Sequence, residues 1–198
     1  MANPNHPRKG DIIRVEGFRD LKDVKNIRKL LHDRPRDLCI FTLGLNFALR
    51  GGDLLSLRVG QVRGLKTGDI LRVRESKTKK VREIVLNKVV YDAVQGLLKS
   101  MGDDVSDDAY LFQSRKGHSK LTTPYLNALV KSWGKMIGLK CNLGAHSMRK
   151  GFGTINRLVH GVDVATLMRI YGHSSQTMTL RYLGITEEEV MNVYMRDI

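Results

Sequence analysis

Cysteine is scarce in this sequence of 198 residues, and the two that occur, Cys39 and Cys141, have no spacing typical of a metal site or a redox pair. Long apolar runs are also missing, so no segment is predicted to span a membrane and none resembles the hydrophobic part of a signal peptide. These absences exclude a disulfide scaffold. We expect a soluble, cytoplasmic protein with two reduced thiols and with Cys39 in the core.

Acidic residues are few relative to basic ones. The chain has 34 Lys and Arg against 20 Asp and Glu, which gives a formal net charge of +14. Such an excess favours a polyanionic partner, and nucleic acid more than a membrane surface. A basic surface that binds nothing is the alternative interpretation. Apolar residues make up 41% of the chain, which is enough for one sizeable core, so we expect one compact domain.

Most of the chain carries helical patterns. Residues 1–20 are polar, basic and interrupted by Pro4 and Pro7, which predicts an extended N-terminal arm that either lies on DNA or is disordered. Apolar spacing and glycine stops predict a domain over residues 21–198. Its predicted helices cover residues 21–31, 36–50, 54–62, 87–101, 124–137, 147–160, 163–171, 175–182 and 187–198.

Particular residues set the predicted ends of these helices. Arg50 is followed by Gly51 and Gly52, which indicates a helix stop. Thr186 and Glu189 have the spacing of a capping box. Small polar residues that predict N-caps occur at Asp53, Asn87, Thr123, Ser175 and Thr186.

One region alternates apolar and polar residues instead. Residues 69–75 and 81–86 have the period of two that is typical of β-strands, and the polar segment between them predicts a hairpin turn with Lys77 at its tip. No internal repeat is present. The sequence therefore predicts a mainly α fold with one small antiparallel β-sheet, of the α+β class.

Four polar residues in the last third of the chain have the chemistry needed to attack a phosphodiester. His146 and Arg149 are three residues apart, His173 follows a glycine, and Tyr182 closes a short polar segment. Without a metal, this attack needs cations for the non-bridging oxygens, a nucleophile, and a proton donor for the leaving oxygen. Arginine suits the first task because its charge is permanent and its donors bind phosphate in pairs.

Two upstream residues complete this set. Arg50 is a second arginine for the phosphate, and Lys77, on the predicted hairpin tip, is placed to act as a general acid toward the leaving oxygen. Each of the six candidates also has a simpler interpretation, as a solvated helix-end or turn residue, a capping histidine or a half-buried core tyrosine. Their joint order and spacing, rather than any single residue, favours a functional site.

The order of these residues resembles that of the tyrosine recombinases, the phage integrase family, over most of the chain from Leu21 onwards. The segment ALRGGDLLSLRV around Arg50 is similar to the family's first arginine motif, with Asp53 where glutamate is usual. SKTKKVREIVL is similar to its lysine hairpin, and HSMR, YGHSS and TLRY match its H-x-x-R, G-H and T-x-x-Y boxes. Lys150 stands where many members have a histidine or another small polar residue.

The resemblance implies that the chain is a site-specific DNA recombinase or integrase. On this interpretation Tyr182 attacks a DNA phosphate and forms a 3′-phosphotyrosine bond, Lys77 protonates the leaving 5′ oxygen, and His146 assists proton transfer. Three further residues are implied to stabilise the transition state: Arg50, Arg149 and His173. No cofactor or metal is implied, because the covalent intermediate retains the energy needed for rejoining.

The resemblance also implies double-stranded DNA as the partner, a homotetramer on two paired DNA sites, and accessory DNA-bending proteins. Integrases usually carry a separate N-terminal domain that closes around DNA, whereas only residues 1–20 precede the predicted catalytic domain, residues 21–198. We expect either a short recombinase or a fragment. Two alternatives stay open: a basic DNA-binding module of this fold that does not cut, and a type IB topoisomerase that relaxes DNA by similar chemistry.

Overall fold

The computed structural model of the protein describes residues 15–114, 117–185 and 187–197. Within these residues the chain forms nine α-helices, one turn of 3-10 helix (Val59–Gln61) and one two-stranded antiparallel sheet, so the predicted α+β class is confirmed. None of these helices is both long and apolar enough to cross a membrane. The strands are β1 (Ile70–Arg74) and β2 (Val81–Val85). The helices are α1 (Leu21–Leu30), α2 (Pro35–Asn46), α3 (Gly51–Leu55), α4 (Lys88–Met101), α5 (Thr123–Met136), α6 (Ser147–Leu158), α7 (Val164–Tyr171), α8 (Gln176–Leu183) and α9 (Glu187–Tyr194).

The main core lies around helix α2, which is buried on almost every side, as its nearly continuous apolar sequence predicts. Phe41 of α2 contacts Trp133 of α5 edge to face, with 5.8 Å between ring centroids, and contacts Phe18 in the same way at 5.4 Å. Cys39 is fully buried there, as expected, and burial raises the pKa of its thiol. Because α2 also packs against α4 and α6, it supports the helix that carries Arg149.

A smaller apolar cluster holds the C-terminal helices. It is centred on Tyr171 at the end of α7 and includes Ala48, Leu167 and Leu183. Gly153 of α6 lies against this cluster, and a Cβ atom at Gly153 would overlap the Tyr171 hydroxyl and lie 2.6 Å from Leu183 Cδ2. The close approach of α6 to α7 and α8 therefore depends on a residue without a side chain at this position.

The segment between α2 and α3 differs from the prediction. Helix α2 ends at Asn46 and not at Arg50, because Ala48 has a φ of 50° and this left-handed conformation cannot continue a helix. Arg50 is extended at the N-cap position of α3, and Gly51 begins that helix instead of stopping the previous one. Asp53 lies inside α3 and does not cap it. The prediction was wrong because the helix propensities of the residues up to Arg50 favour one longer helix. The tertiary contacts that end the helix earlier do not enter such propensities.

The predicted N-caps of α4 and α8 agree with the structure. Asn87 caps α4 and Ser175 caps α8, each through a side-chain hydrogen bond to a backbone N–H of the first turn. At α5 the cap is Thr122, one residue before the predicted Thr123, because Thr123 has already taken the helical conformation. The predicted capping box at Thr186 lies outside the described residues.

The predicted hairpin is confirmed. Strands β1 and β2 pair with Arg74 opposite Val81, and residues 76–79 form the connecting turn, in which Lys79 has a left-handed φ of 60°. Lys77 lies in this turn and is exposed, as expected for a residue at the tip. The hairpin therefore projects a lysine from the end of the sheet.

The N-terminal region is described in part. Residues 1–14 lie outside the described residues, so the basic arm and a domain boundary near residue 20 stay predictions. The segment 15–20 is irregular, and the Glu16 backbone N–H donates to the Asn142 carbonyl at 2.8 Å. Phe18 from the same segment is buried in the main core. At least these few residues of the predicted arm therefore pack on the domain.

We expect Gly153→Ala to destabilise the protein by about 2 kcal/mol, because the new methyl group must displace Tyr171 and Leu183. Gly96→Ala is the matched control. Gly96 lies inside α4, and a Cβ atom there would meet nothing within 4 Å, so alanine should stabilise the protein by about 0.5–1 kcal/mol. Urea unfolding followed by circular dichroism measures both changes. A similar effect of the two substitutions would contradict the close packing of α6 on Tyr171.

Candidate active site

Arg149 of α6 is almost fully buried, with 3% of its side chain exposed. Its Nη1 donates to the Ala48 carbonyl and its Nη2 donates to the Tyr171 carbonyl at 3.1 Å. In return the Tyr171 hydroxyl donates to the Arg149 carbonyl at 2.8 Å, and the Tyr171 ring centre lies 4.9 Å from the guanidinium carbon. These contacts fix the direction of Arg149 and join α6 to α7 and to the segment after α2.

The unusual backbone conformation at Ala48 affects the positions of the two predicted arginines. A left-handed conformation costs a residue with a Cβ atom about 1–2 kcal/mol, and here it accompanies the hydrogen bond from Arg149 to the Ala48 carbonyl. Two residues later Arg50 is extended, and 26% of its side chain is exposed. One arginine of the pair is therefore locked inside the protein and the other reaches the surface.

The two arginines meet at the carboxylate of Glu75, which is not among the predicted site residues. Glu75 Oε2 lies 3.1 Å from Arg50 Nη1, and Oε1 lies 3.8 Å from Arg149 Nη1. A third arginine, Arg82 of β2, lies 3.5 Å from Oε1. Burial alone would raise the pKa of Glu75, but the hydrogen bond from Thr78 and the charges of Arg50 and Arg82 lower it below its ordinary value. The carboxylate is therefore ionised at neutral pH.

Two carboxylates hold the hairpin turn that carries Lys77. Asp53 Oδ1 accepts a hydrogen bond from the Ser76 backbone N–H at 2.9 Å, and Glu75 Oε2 accepts one from the Thr78 hydroxyl at 2.7 Å. Within the described part of the chain, the Lys77 side chain itself has no hydrogen bond or ion pair. The structure therefore fixes the turn but does not bring the Lys77 ammonium into contact with the other predicted residues.

His173 follows the left-handed residue that ends α7. Its imidazole stacks on Tyr171 with 5.1 Å between ring centroids, and its Nδ1 lies 3.0 Å from Thr179 Oγ1. One ring contact and one hydrogen bond thus set the orientation of the imidazole. Burial lowers the pKa of His173, and the positive charge of Arg149 lowers it further, so the ring is neutral at pH 7.

His146 precedes the first residue of α6 and is exposed at the surface. It makes no side-chain capping hydrogen bond, so the interpretation of a capping histidine is wrong. Partial desolvation lowers the pKa of His146, and the charges of Arg149, Lys150 and Arg50 lower it further. A neutral imidazole beside the site is able to accept a proton.

Tyr182 of α8 faces this cluster in the same chain. Its ring packs edge to face on Tyr171 and His173, at centroid distances of 5.1 and 5.5 Å, and Lys150 Nζ lies 5.4 Å from its centre. The Arg149 guanidinium carbon lies 6.0 Å from the centre of the Tyr182 ring, and the buried Tyr182 hydroxyl faces this guanidinium without a well-formed hydrogen bond within the described residues. Burial raises the pKa of this hydroxyl, and the charge of Arg149 offsets part of that rise.

The structure thus gathers most of the predicted site. Four of the six residues are brought together by direct contacts or shared partners: Arg50, Arg149, His173 and Tyr182. His146 lies at the edge, and Lys77 stands apart on the turn. No group of three or more His, Cys, Asp and Glu side chains in the described ranges is placed to hold a metal. The arrangement offers a site for an anion between two arginines, with a hydroxyl next to one of them.

Comparison with known proteins decides the family. The sequence model of the phage integrase family matches residues 20–189. The chain belongs to the phage integrase family. It is 32% identical to the probable integrase/recombinase YoeC of Bacillus subtilis, over 91% of this chain and 95% of YoeC. It is 30% identical to the tyrosine recombinase XerA of Thermococcus kodakarensis, over 85% of this chain but only 58% of XerA.

The fold of this family member is shared with solved recombinases. In the crystal structure of the XerH site-specific recombinase bound to a palindromic difH substrate, a post-cleavage complex, the matching region has a TM-score of 0.73. The identity is 20%, and the match covers 94% of this chain and 53% of XerH. The likeness at this identity shows the fold alone. The predicted resemblance to the family is therefore confirmed in sequence and in fold.

Two charged residues of this cluster, Glu75 and Arg82, were not predicted, although the strand pattern contains a signal for them. On β1 the buried Leu71 and Val73 alternate with exposed residues, and Glu75 continues the buried phase. On β2 Arg82 shares its phase with the buried Ile84. A charged side chain on the apolar phase of a strand needs an oppositely charged partner, and two of them on paired strands indicate an internal ion pair.

We expect the free energy of unfolding to fall between pH 7 and pH 5, in part because of His173. Its pKa is lowered in the folded protein, so the unfolded chain binds a proton first, near the ordinary value of 6.5, and stability is lost below that pH. Urea unfolding at several pH values measures this. His173→Gln should lose less stability over the interval than the wild type, whereas the exposed-residue control His32→Gln should lose as much. Equal losses for wild type and His173→Gln would contradict the neutral assignment.

Proposed function

We propose that the protein is a site-specific DNA recombinase that cuts and rejoins DNA strands through a covalent 3′-phosphotyrosine intermediate. The observation that carries this proposal is the Tyr182 hydroxyl lying beside the Arg149 guanidinium, with His173 against the Tyr182 ring and Arg50 joined to Arg149 through Glu75. Membership of the phage integrase family supports it. So does the likeness in fold to XerH, whose structure contains its difH substrate after cleavage.

The arginine pair supplies the phosphate site. Arg149 is held by buried contacts and Arg50 is partly exposed, so both can donate to the non-bridging oxygens of one phosphate with little rearrangement. Neutral His173 is the third donor. Donors fixed in advance act on the charge that develops in the transition state, and each one contributes about 10²–10³-fold in rate.

The cleavage step is a transesterification. A bond forms between the Tyr182 oxygen and phosphorus while the bond from phosphorus to the 5′ oxygen breaks. The phenol proton passes to His146, and the leaving 5′ oxygen takes a proton from Lys77. Because the pKa of Tyr182 is raised, the proton leaves during the attack and not before it. Attack by the 5′-hydroxyl of a partner strand reverses the step and joins the strands.

Double-stranded DNA is the proposed partner, and its phosphates suit the net charge of +14. The active form is proposed to be a homotetramer on two paired DNA sites. Helix α9 favours such an assembly because it exposes four large apolar side chains: Val190, Met191, Val193 and Tyr194. A helix with this surface is suited to dock on a neighbouring copy.

We expect the protein to form a covalent complex with DNA that survives denaturation, and Tyr182→Phe to form none because it lacks the attacking oxygen. The DNA substrate is a duplex selected for binding to the protein from a randomised pool. It is then rebuilt with a nick beside the phosphate that is cleaved, so that the short fragment with the new 5′-hydroxyl diffuses away after cleavage. A denaturing gel measures the labelled protein–DNA product. The matched control is Tyr125→Phe, at an exposed position of α5, which should leave the yield unchanged.

Two other outcomes would favour the alternatives. A wild type that binds the selected duplex as tightly as Tyr182→Phe, yet gives no covalent product, would be a non-cleaving DNA-binding module. Relaxation of supercoiled plasmid without exchange of strands between two duplexes would indicate activity of the type IB topoisomerase kind. Strand exchange together with the covalent product supports the recombinase.

We expect Lys77→Ala to slow cleavage of ordinary DNA by about 100-fold or more, because the 5′ oxygen must then leave without a proton. DNA with sulfur in place of the bridging 5′ oxygen has a leaving group that needs no proton, so the variant should cleave it nearly as fast as the wild type. Lys80→Ala, immediately after the same turn, is the control and should cleave both substrates normally. If Lys77→Ala is slowed equally on both DNA substrates, the general acid is another residue.

A further inference from the structure

Glu75 supplies the negative charge at the centre of three arginines. Its side chain is 3% exposed, and within the described ranges no other carboxylate lies in ion-pair distance of Arg50, Arg82 or Arg149. Guanidinium groups this close repel one another, and a buried anion between them offsets part of the repulsion. Burial lowers the pKa of Arg82, the charge of Glu75 offsets part of that fall, and the charges of Arg149 and Arg50 lower the pKa further.

The two carboxylate oxygens face different parts of the site. Oε1 lies 3.8 Å from Arg149 Nη1 and 3.5 Å from Arg82 Nη1. Oε2 lies 3.1 Å from Arg50 Nη1 and accepts the Thr78 hydroxyl at 2.7 Å. One side chain therefore contacts both arginines of the proposed phosphate site and the turn that carries the proposed general acid.

Backbone hydrogen bonds fix the place of Glu75 in the hairpin. Its N–H donates to the Lys80 carbonyl and its carbonyl accepts from the Lys79 N–H, both at 2.9 Å, so Glu75 closes the turn. The next residue, Ser76, donates its backbone N–H to Asp53 Oδ1 of α3 at 2.9 Å. The end of the hairpin is thus tied to the helix that follows the first arginine by a contact independent of the Glu75 side chain.

We propose that Glu75 is a positioning residue for strand cleavage, which holds Arg50 and Arg149 at the spacing of one phosphate and, through Thr78, fixes the Lys77 turn relative to them. This inference rests on the proposed recombinase function. Glu75 touches no reacting atom and acts through residues that do. Its carboxylate lies on the buried side of the pair, whereas Arg50 is 26% exposed, so the outer N–H groups of Arg50 stay accessible to a phosphate.

Single-turnover cleavage of the selected nicked duplex tests the proposal. Glu75→Gln keeps the size of the side chain and removes its charge. At saturating DNA it should lower the cleavage rate constant by about 100-fold, while the Kd for DNA stays within about threefold of the wild type or falls. Glu75→Asp, which keeps the charge, should recover part of the rate. The matched control is Glu83→Gln, which removes an exposed carboxylate from the same hairpin and should cleave like the wild type.

Thr78→Val separates the two contacts of the carboxylate. It removes the hydrogen bond between the turn and Glu75, together with a longer contact of 3.4 Å from the Lys80 backbone N–H to the Thr78 hydroxyl within the turn. It should therefore slow the cleavage of ordinary DNA but not that of the 5′-sulfur DNA. Glu75→Gln should be rescued by sulfur only in part, because its arginine pair has also lost its anchor. A general loss of structure would slow both substrates alike, and urea unfolding shows whether each variant is folded. If Glu75→Gln does not fold, the sulfur rescue of Thr78→Val decides.

The remaining outcomes overturn either the inference or the function beneath it. A folded Glu75→Gln that cleaves at the wild-type rate, or that gains DNA affinity without losing rate, overturns the positioning role. A wild type that does not cleave overturns the recombinase function instead, and positioning is then measured without DNA. In that case the guanidinium N–H signals of Arg50 and Arg149 in NMR spectra should be sharp in the wild type and broadened in Glu75→Gln. Unchanged signals would overturn the inference.

Discussion

The burial of one guanidinium, that of Arg149, is the interaction on which the rest of the site depends. A buried charge left without partners costs several kcal/mol, and Arg149 has its partners in segments far apart in the chain. The carbonyls of Ala48 and Tyr171 and the carboxylate of Glu75 all face it. Folding around this single charge therefore joins the segment after α2, the hairpin and α7, and Tyr182 packs on the result.

An excess of positive charge follows from this construction. Three arginines face one carboxylate. Burial lowers the pKa values of His146 and His173, and the charges of two of these arginines, Arg149 and Arg50, lower them further. Both imidazoles are therefore neutral at pH 7. An anion held between the arginines would add negative charge and raise both pKa values again.

The parts of the molecule that were predictable are those set by local sequence. Asn87 and Ser175 cap helices, and the alternation in β1 and β2 gives the hairpin, because each depends on a few neighbouring residues. The order of the motifs predicted, before any contact was known, that Arg50, Arg149, His173 and Tyr182 lie in one site. The end of α2 was not predictable, because alanine favours a helix and only the contact with Arg149 accounts for a left-handed Ala48. The role of Lys77 stays a prediction, because its turn places it in solvent.

Ala48 is subject to two opposing constraints. Its left-handed backbone favours glycine, yet its methyl group is fully buried in the small cluster with Tyr171 and Leu183. Glycine would relieve the backbone and leave a gap beside Tyr171, while a larger side chain would add to the strain and find no room. Both smaller and larger side chains are therefore expected to be poorly tolerated at this position. Substitution of Ala48 is restricted by shape alone, although its methyl group takes no part in the proposed reaction.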